Sequence, residues 1–542
     1  MKMKMHVLVL SIAVGIAMPV LAQSPEECAP TDSIDHLRLL RQASLDIRNR
    51  APSYDEIVAL RDASDREAAL QAAIGGMFEQ EEYFDQVRRT FQVQLWSSLD
   101  AVDLLIAGQN RLAYNSGLQI YYQNNSKRKY RGDNEYMCLD QLQTEYDAQG
   151  RPVPIQMVSD ADCRDVGFGE GTCVQEGYEL ITPFWDPTIQ IKVCAFDAQA
   201  FATGVSGGNC DVYDTADRGC GCGPNLRRCM RESDTGEIRR ALEEEPARIF
   251  EHVVRNDLPF TEAFTTRTTF VNGRSAHMYE YMDGYTSITQ TGQIVFDTQM
   301  PSLPAIPYTD EGWRQVERGP AHAGVLTTMS YLLRFASNRA RANRFYTAFL
   351  CDPFVPSADG LPAEEDEPDP NLRERNGCQD CHDVLEPAAA HWARWRTGGT
   401  FGYFSPEEHS FTEVFSSCEC GPGTSRSNCN SYCNSYYVTA ANSHPSTYET
   451  YGGLPLSAIY LEENEGDALD EGPQTLADEP TEQHQIAECA VRTLAQNLFG
   501  RELTHREVAW LEAQTDAFEA DGMRYTGLFE RLVMDPKYRA IR

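Results

Sequence analysis

From Ile34 to about Gln109 apolar residues recur at helical spacing, with Leu37, Leu40 and Leu45 followed by Ile57 and Leu60. Ala51-Pro52 breaks the first helix, and Ser53-Tyr54-Asp55-Glu56 predicts a capping box that opens the next, with the serine oxygen and the glutamate carboxylate satisfying free backbone N–H groups. The C-terminus repeats this arrangement. A helix through Ala490 to Phe499 meets Gly500-Arg501, and Thr504-His505-Arg506-Glu507 caps the helix carrying Val508 and Leu511. An internal repeat and two ordinary helical hairpins both fit the pattern. Between the ends, from roughly Asn110 to Pro320, composition shifts to Gly, Thr, Tyr, Asp and Cys, with alternating runs such as Ile189 to Val193. Strands and long loops stapled by disulfides are expected there. Helix returns at Gly324-Val325-Leu326 and runs, with a break, to about Leu350. Two acidic, proline-containing stretches, Ser357 to Pro370 and Glu462 to Glu482, read as linkers or exposed loops.

These patterns predict a mainly α, multidomain chain: helical N- and C-terminal domains, a compact segment between the two acidic stretches, and a disulfide-rich irregular or β middle region. The expected divisions are 1–22, 23–109, 110–320, 321–482 and 483–542. The first is a secretory signal: Lys2 and Lys4 precede an apolar stretch from His6 to Leu21, and Val20-Leu21-Ala22 offers a small residue for cleavage before Gln23. An N-terminal membrane anchor is the competing reading, and the shortness of the apolar core argues against it. No other segment is long and apolar enough to span a bilayer, so no membrane span is expected after signal cleavage.

Charge and cysteine content narrow the classes further. A net charge of −34 disfavours nucleic acid and anionic membranes as partners, and favours a basic protein partner or simply solubility. The 17 cysteines suit an oxidising compartment, periplasmic or at the cell surface or beyond, where they pair.

Two of them carry a motif. In Cys378-Gln379-Asp380-Cys381-His382 the thiols are spaced to add across the two vinyl groups of haem, and the adjacent histidine is held beneath the ring to ligate iron. Cys378 and Cys381 are therefore the expected attachment points of one covalent haem c, and His382 the proximal ligand, which makes the segment between the acidic stretches a cytochrome-c-like haem segment. Three other readings compete: a redox Cys-x-x-Cys pair, which would need a thioredoxin-like setting that the preceding acidic loop does not provide; a zinc site; and structural disulfides. For the sixth iron position, His391 and Met329 are the candidates, with His322 and Met534 weaker ones. An ordinary hydrogen-bonding histidine and a core-packing methionine are the alternatives for the first two. Arg394 and Arg396 are candidates to pair with haem propionates. A second pattern, Cys220-Gly221-Cys222-Gly223-Pro224 and Cys418-Glu419-Cys420-Gly421-Pro422, favours disulfide knots over metal sites.

Three further stretches accompany the motif: Arg318 to Thr327, Phe349-Leu350-Cys351-Asp352-Pro353, and Leu385-Glu386-Pro387 directly after it. With Leu39 to Pro52 and Leu498-Phe499-Gly500-Arg501, they resemble the planctomycete-type cytochrome c family, exported haem proteins built from domains of unknown function. The likeness covers about half the chain. It departs from the family after Pro387, where Ala-Ala-Ala-His-Trp stands in place of Leu-Gly and an acidic run, and in the Cys-rich middle, which has no counterpart. The resemblance implies haem attachment, export and helical organisation, and it implies no reaction. The expected role is an exported monohaem c-type cytochrome in one-electron transfer with a protein partner. The alternatives are a haem-dependent oxidase or peroxidase acting outside the cytoplasm, and a disulfide-rich extracellular binding or scaffold protein.

Overall fold

The computed structural model describes residues 35–102, 104, 111–123, 137–165, 169–199, 221–282, 286–289, 292–295, 297–354, 369–398, 401–404, 414, 418–422 and 431–540. The signal segment and Cys28 lie outside them. The chain opens with four helices, α1 (His36–Arg48), α2 (Tyr54–Asp62), α3 (Arg66–Met77) and α4 (Glu81–Leu95). The predicted capping box at Ser53 is present: its hydroxyl accepts from the Glu56 N–H at 3.2 Å, and the Glu56 carboxylate accepts from the Ser53 N–H at 2.6 Å. The same carboxylate takes the guanidinium of Arg48, whose side chain is fully buried, at 2.7 Å.

The middle of the chain is more helical than its composition suggested. It does hold a five-stranded mixed sheet, in the order Tyr178–Ile181, Ile191–Cys194, Ile120–Gln123, Arg111–Asn115, Met230–Arg231, and three two-stranded ladders. It also holds α5 (Thr235–Arg255), α6 (Glu262–Thr265) and α7 (Gly273–Met282). The Glu-Glu-Glu-Pro run in α5 disguised it as a loop. Its buried residues Ile238, Leu242, Ile249, Phe250 and Val253 nevertheless follow one helical face, and Pro246 is accommodated inside the helix.

Helix α5 lies against α4, with the rings of Phe91 and Phe250 stacked at 3.9 Å. Phe260, Phe264, Phe349 and Tyr525 extend this aromatic core. Helices α8 (Met329–Arg334) and α9 (Asn338–Phe345) follow a tight turn at Gly324–Thr327. Gly324 sits at φ 45°, and a Cβ there would stand 2.0 Å from the Ala263 carbonyl oxygen, so only glycine fits. One further helical turn, Tyr346–Leu350, ends at Cys351.

The remaining helices are α10 (Gln379–Ala390), α11 (Ser431–Tyr436), α12 (Pro445–Tyr451), α13 (Ala468–Glu471), α14 (Thr475–Asp478), α15 (Pro480–Phe499), α16 (Val508–Ala520), α17 (Tyr525–Met534) and α18 (Pro536–Arg539). The second acidic stretch is therefore not a bare linker, because α13 and α14 bury Leu469, Leu476 and Ala477. The first lies almost wholly outside the described residues. The C-terminal helices return to the N-terminal ones: Tyr538 donates to Asp46 at 2.6 Å and Arg539 pairs with Glu67 at 2.7 Å. The second predicted capping box, Thr504 with Glu507, is also present, and Glu507 accepts from Arg501 as Glu56 does from Arg48.

Disulfides join Cys138 to Cys194, Cys222 to Cys229, Cys351 to Cys489 and Cys418 to Cys433. The Cys351–Cys489 bridge closes a segment of 138 residues that carries the Cys378–His382 motif. In the chain-entropy account a loop of that size restricts the unfolded chain by about 5 kcal/mol. No helix among the described residues is long and apolar enough to cross a membrane.

The Arg48 guanidinium, helped by the Ser53 N–H, holds the Glu56 carboxyl well below its ordinary range, at about 2. A depressed carboxylate stabilises the fold fully above its unfolded value and loses that contribution as pH falls through the folded one. We expect Glu56→Gln to lower unfolding free energy by about 2 kcal/mol at pH 7, because it weakens the hold on a buried guanidinium. In denaturant titrations the gap between wild type and variant should close as pH drops from about 4.5 toward 2, whereas a gap independent of pH would contradict this account.

Candidate functional site

The head of α10 is built by local hydrogen bonds. The carboxylate of Asp369 accepts from the Asn371 N–H, Arg375 and Cys378 donate to the Asn371 and Arg375 carbonyls in turn, and Gly377 takes a left-handed φ of 78°. This winds the chain into the helix at Cys378, whose carbonyl accepts from the His382 N–H at 3.0 Å. Cys378, Cys381 and His382 then stand at positions i, i+3 and i+4, on one helix face. Both cysteines are unpaired and partly exposed. Gln379–Ala390 is helical throughout, so Cys378 caps the helix and Cys381 and His382 lie in its first turn.

His382 is oriented by its own helix. Its Nδ1 lies 2.5 Å from Glu386 Oε1, one turn further on, and the carboxylate draws the ring proton to Nδ1. That leaves the Nε2 lone pair for an external ligand. Glu386 is itself buried and accepts from Arg339 Nε of α9 at 2.8 Å, so the pair is anchored to a second helix.

Beyond His382, α10 borders a cavity of about 630 Å³, within the range of small-molecule and cofactor sites, whose lining includes Glu386 but not Cys378, Cys381 or His382. Glu386, Ala389, Ala390 and Ala393 follow His382 at i+4, i+7, i+8 and i+11 and line it. Alanines leave free volume where larger side chains would fill it. Two residues of the Ala-Ala-Ala run that departs from the family pattern, Ala389 and Ala390, are thus part of its wall. Arg339 and Arg375 bring positive charge to its lining, and Trp395 an indole.

The other candidates are placed elsewhere. Met329 opens α8 fully buried in the core and does not line the cavity. His391 lies nine residues beyond His382, about two and a half helical turns and roughly 13 Å along the axis, which carries it to the opposite face. Its Nδ1 lies 3.0 Å from both the Gly472 carbonyl and Thr475 Oγ1, and burial pulls its pKa below the ordinary value. It borders a separate cavity of about 170 Å³. His322 is buried with Nδ1 2.7 Å from Thr327 Oγ1, and burial pushes it well below the usual histidine range. Met534 ends α17 against the core. Arg394 bonds Asp470 and the Phe404 carbonyl, and Arg396 donates to the Tyr436 hydroxyl. Glu386 and Arg339 were missed by sequence reasoning. The i,i+4 spacing of His382 and Glu386 would have found the first, whereas nothing local points to the second.

Residues 228–281 match the family described as PSD4, a protein of unknown function (DUF1592). That family is known in planctomycete cytochrome c proteins. The match spans about a tenth of the chain, over α5 to α7, in the middle region that showed no counterpart to the family on sequence inspection, and it does not include the Cys378–His382 motif. No curated protein and no solved structure matches the chain significantly.

The matched segment is organised around a buried carboxylate. Glu245 accepts from the Tyr279 hydroxyl at 2.9 Å and the Thr269 hydroxyl at 2.6 Å, and burial raises its pKa. This network lies in the packed core, where it fixes α5 against α7.

His391 in this arrangement is a clamp between the end of α10 and the Gly472 to Thr475 turn. His391→Ala should lower stability by about 1 kcal/mol, read as a reduced denaturation midpoint. It should leave alkylation of Cys378 and Cys381 in the folded, haem-free chain unchanged. Altered thiol reactivity without a loss of stability would contradict the assignment.

Proposed function

We propose that the chain is an exported c-type haem protein, with one haem attached through Cys378 and Cys381 and its iron bound by His382 Nε2. The observation that carries the reading is the head of α10: two unpaired thiols and a histidine share one helix face, and the histidine Nδ1 is engaged by Glu386, which itself lines the neighbouring cavity. A disulfide role fits less well because the motif thiols are not joined to each other, and a zinc role because no further ligand cluster forms with them among the described residues. When bound, the haem supplies a one-electron couple between ferric and ferrous iron. The residues do the rest. Cys378 and Cys381 fix the ring in place, Glu386 keeps the His382 proton on Nδ1 and strengthens its basicity, and the Ala389, Ala390 and Ala393 wall gives a low-dielectric surface. Arg339 and Arg375 are suited to carboxylate side groups.

The role that fits this arrangement is one-electron transfer with a protein partner, for which the net charge of −34 favours a basic surface. Four disulfides among the described residues, together with the signal-like leader, favour a periplasmic, cell-surface or secreted location.

Expression of the full chain with a cytochrome maturation system should give a denaturation-resistant haem stain and a haemochrome spectrum. Cys378→Ala with Cys381→Ala should abolish both. A stain equal to wild type in that double variant would overturn the assignment. Glu386→Gln should retain the haem but raise its reduction potential, because the axial imidazole loses an anionic hydrogen-bond acceptor. An unchanged potential in protein film voltammetry would show that Glu386 does not tune the ligand.

A further inference from the structure

We infer that the face where the end of α4 meets α8 and α9 docks an acidic protein partner. This surface is independent of the haem reading and shares no residue with the Cys378–His382 site. The outward stripe of α4 runs through Arg89, Val93 and Trp96, at i, i+4 and i+7. All three stand in solvent while Phe91 and Leu95 turn into the core, with Val93 80% exposed and Trp96 59% exposed. Trp96 ends α4 at a left-handed φ of 52°, a position that ordinarily falls to glycine or asparagine. A large indole is thus held out of the core in a backbone conformation that bulky side chains disfavour.

Helices α8 and α9 bring positive charge to that indole. The seam is fastened by Arg344, whose Nε donates to the Leu95 carbonyl at 3.1 Å, and by Gln94, whose Nε2 donates to the Ala348 carbonyl at 2.7 Å. It places the guanidinium of Arg334 4.8 Å from the centre of the Trp96 ring and that of Arg344 5.7 Å from it. Neither Arg89 nor Arg334 pairs with a carboxylate among the described residues, and Asp85, one turn before Arg89, is taken by Arg88. The sequence leaves this charge uncompensated as well. No Asp or Glu occurs from Gln86 to Leu99 or from Gly319 to Cys351, in a chain that has 81 of them.

The face is therefore positive with an apolar centre, on a chain whose net charge is −34. Salt screens carboxylates more than roughly 8 Å away at physiological ionic strength, so contact here is decided by the local arginines. Tryptophan and arginine around an apolar centre are the side chains that carry protein interfaces, and carboxylates are their complementary charge. An anionic polysaccharide stacks best on a bare indole, whereas guanidinium groups already lie over this one. The face is a second contact surface, distinct from the acidic remainder that suits a basic partner.

The test uses the full chain and two immobilised probes: a glutamate–tyrosine copolymer, which offers carboxylates and apolar rings together, and heparin. Wild type should bind the copolymer at low ionic strength despite its net charge, and added salt should weaken the binding. Arg89→Glu combined with Arg334→Glu should weaken it about tenfold or more. Arg89→Glu alone, at an exposed side chain that the fold does not use, should act in the same direction. Trp96→Asn should also weaken binding, while its denaturation midpoint stays at or above the wild-type value, because asparagine accepts the left-handed backbone. No copolymer binding by wild type, or equal binding by the charge-reversed variants, would overturn the inference. So would heparin binding without copolymer binding, the mark of a polysaccharide site, and a dimerisation of wild type that Arg89→Glu abolishes, the mark of contact with a second copy. A Trp96→Asn protein that binds as wild type does but is less stable would assign the indole to the fold and overturn it likewise.

Discussion

A single buried guanidinium, that of Arg341, sets the position of everything around the cavity. It is fully buried, and its donors are met by the carbonyls of Leu332 and Phe335 on one side and of Trp395 and Arg396 on the other, with the Asn338 carboxamide oxygen completing the shell. Burial pulls its pKa down to about 9, which still leaves it charged at neutral pH. A buried charge tolerates no loss of partners, so the turn between α8 and α9 and the chain leaving α10 are locked to each other. The Gly398 N–H adds a bond to the Ala336 carbonyl at 2.8 Å across the same seam. Residues on both sides of this knot, Ala336 to Arg339 and Trp395, Thr397 and Gly398, line the cavity.

From that frame the chemistry follows by helix geometry. α10 is docked on α9 through Arg339 and Glu386, and Glu386 in turn orients His382 one turn nearer the N-terminus. The thiols share that end of the helix because three- and four-residue spacings coincide on a helical surface. Below them the small side chains of Ala389, Ala390 and Ala393 keep the cavity open. The helix thus has a polar first turn with reactive groups and an apolar second half beside open space. The Cys351–Cys489 disulfide closes the whole segment against α15, so the site is supported by covalent restriction as much as by the aromatic core.

What could be read from the sequence was what depends on local spacing. The two capping boxes, the break at Pro52, the helix that ends at Gly500 and the cysteine-histidine motif are all settled by residues within four or five positions of each other. α5 escaped because its Glu-Glu-Glu-Pro run masks a helical face that is buried only once α4 and α7 pack on it. Met329 and His391 were reasonable donors by type. In the fold one is enclosed by the core and the other lies half a turn around α10 from His382.

The most direct test of this account is mass spectrometry of proteolytic peptides from the mature protein made with a cytochrome maturation system. The account predicts that the peptide containing Cys378 to His382 carries the mass of one haem, attached at both cysteines, and that the cysteine peptides from 418–433 carry none. Recovery of Cys378 and Cys381 without that added mass, as a disulfide or as free thiols, would contradict it.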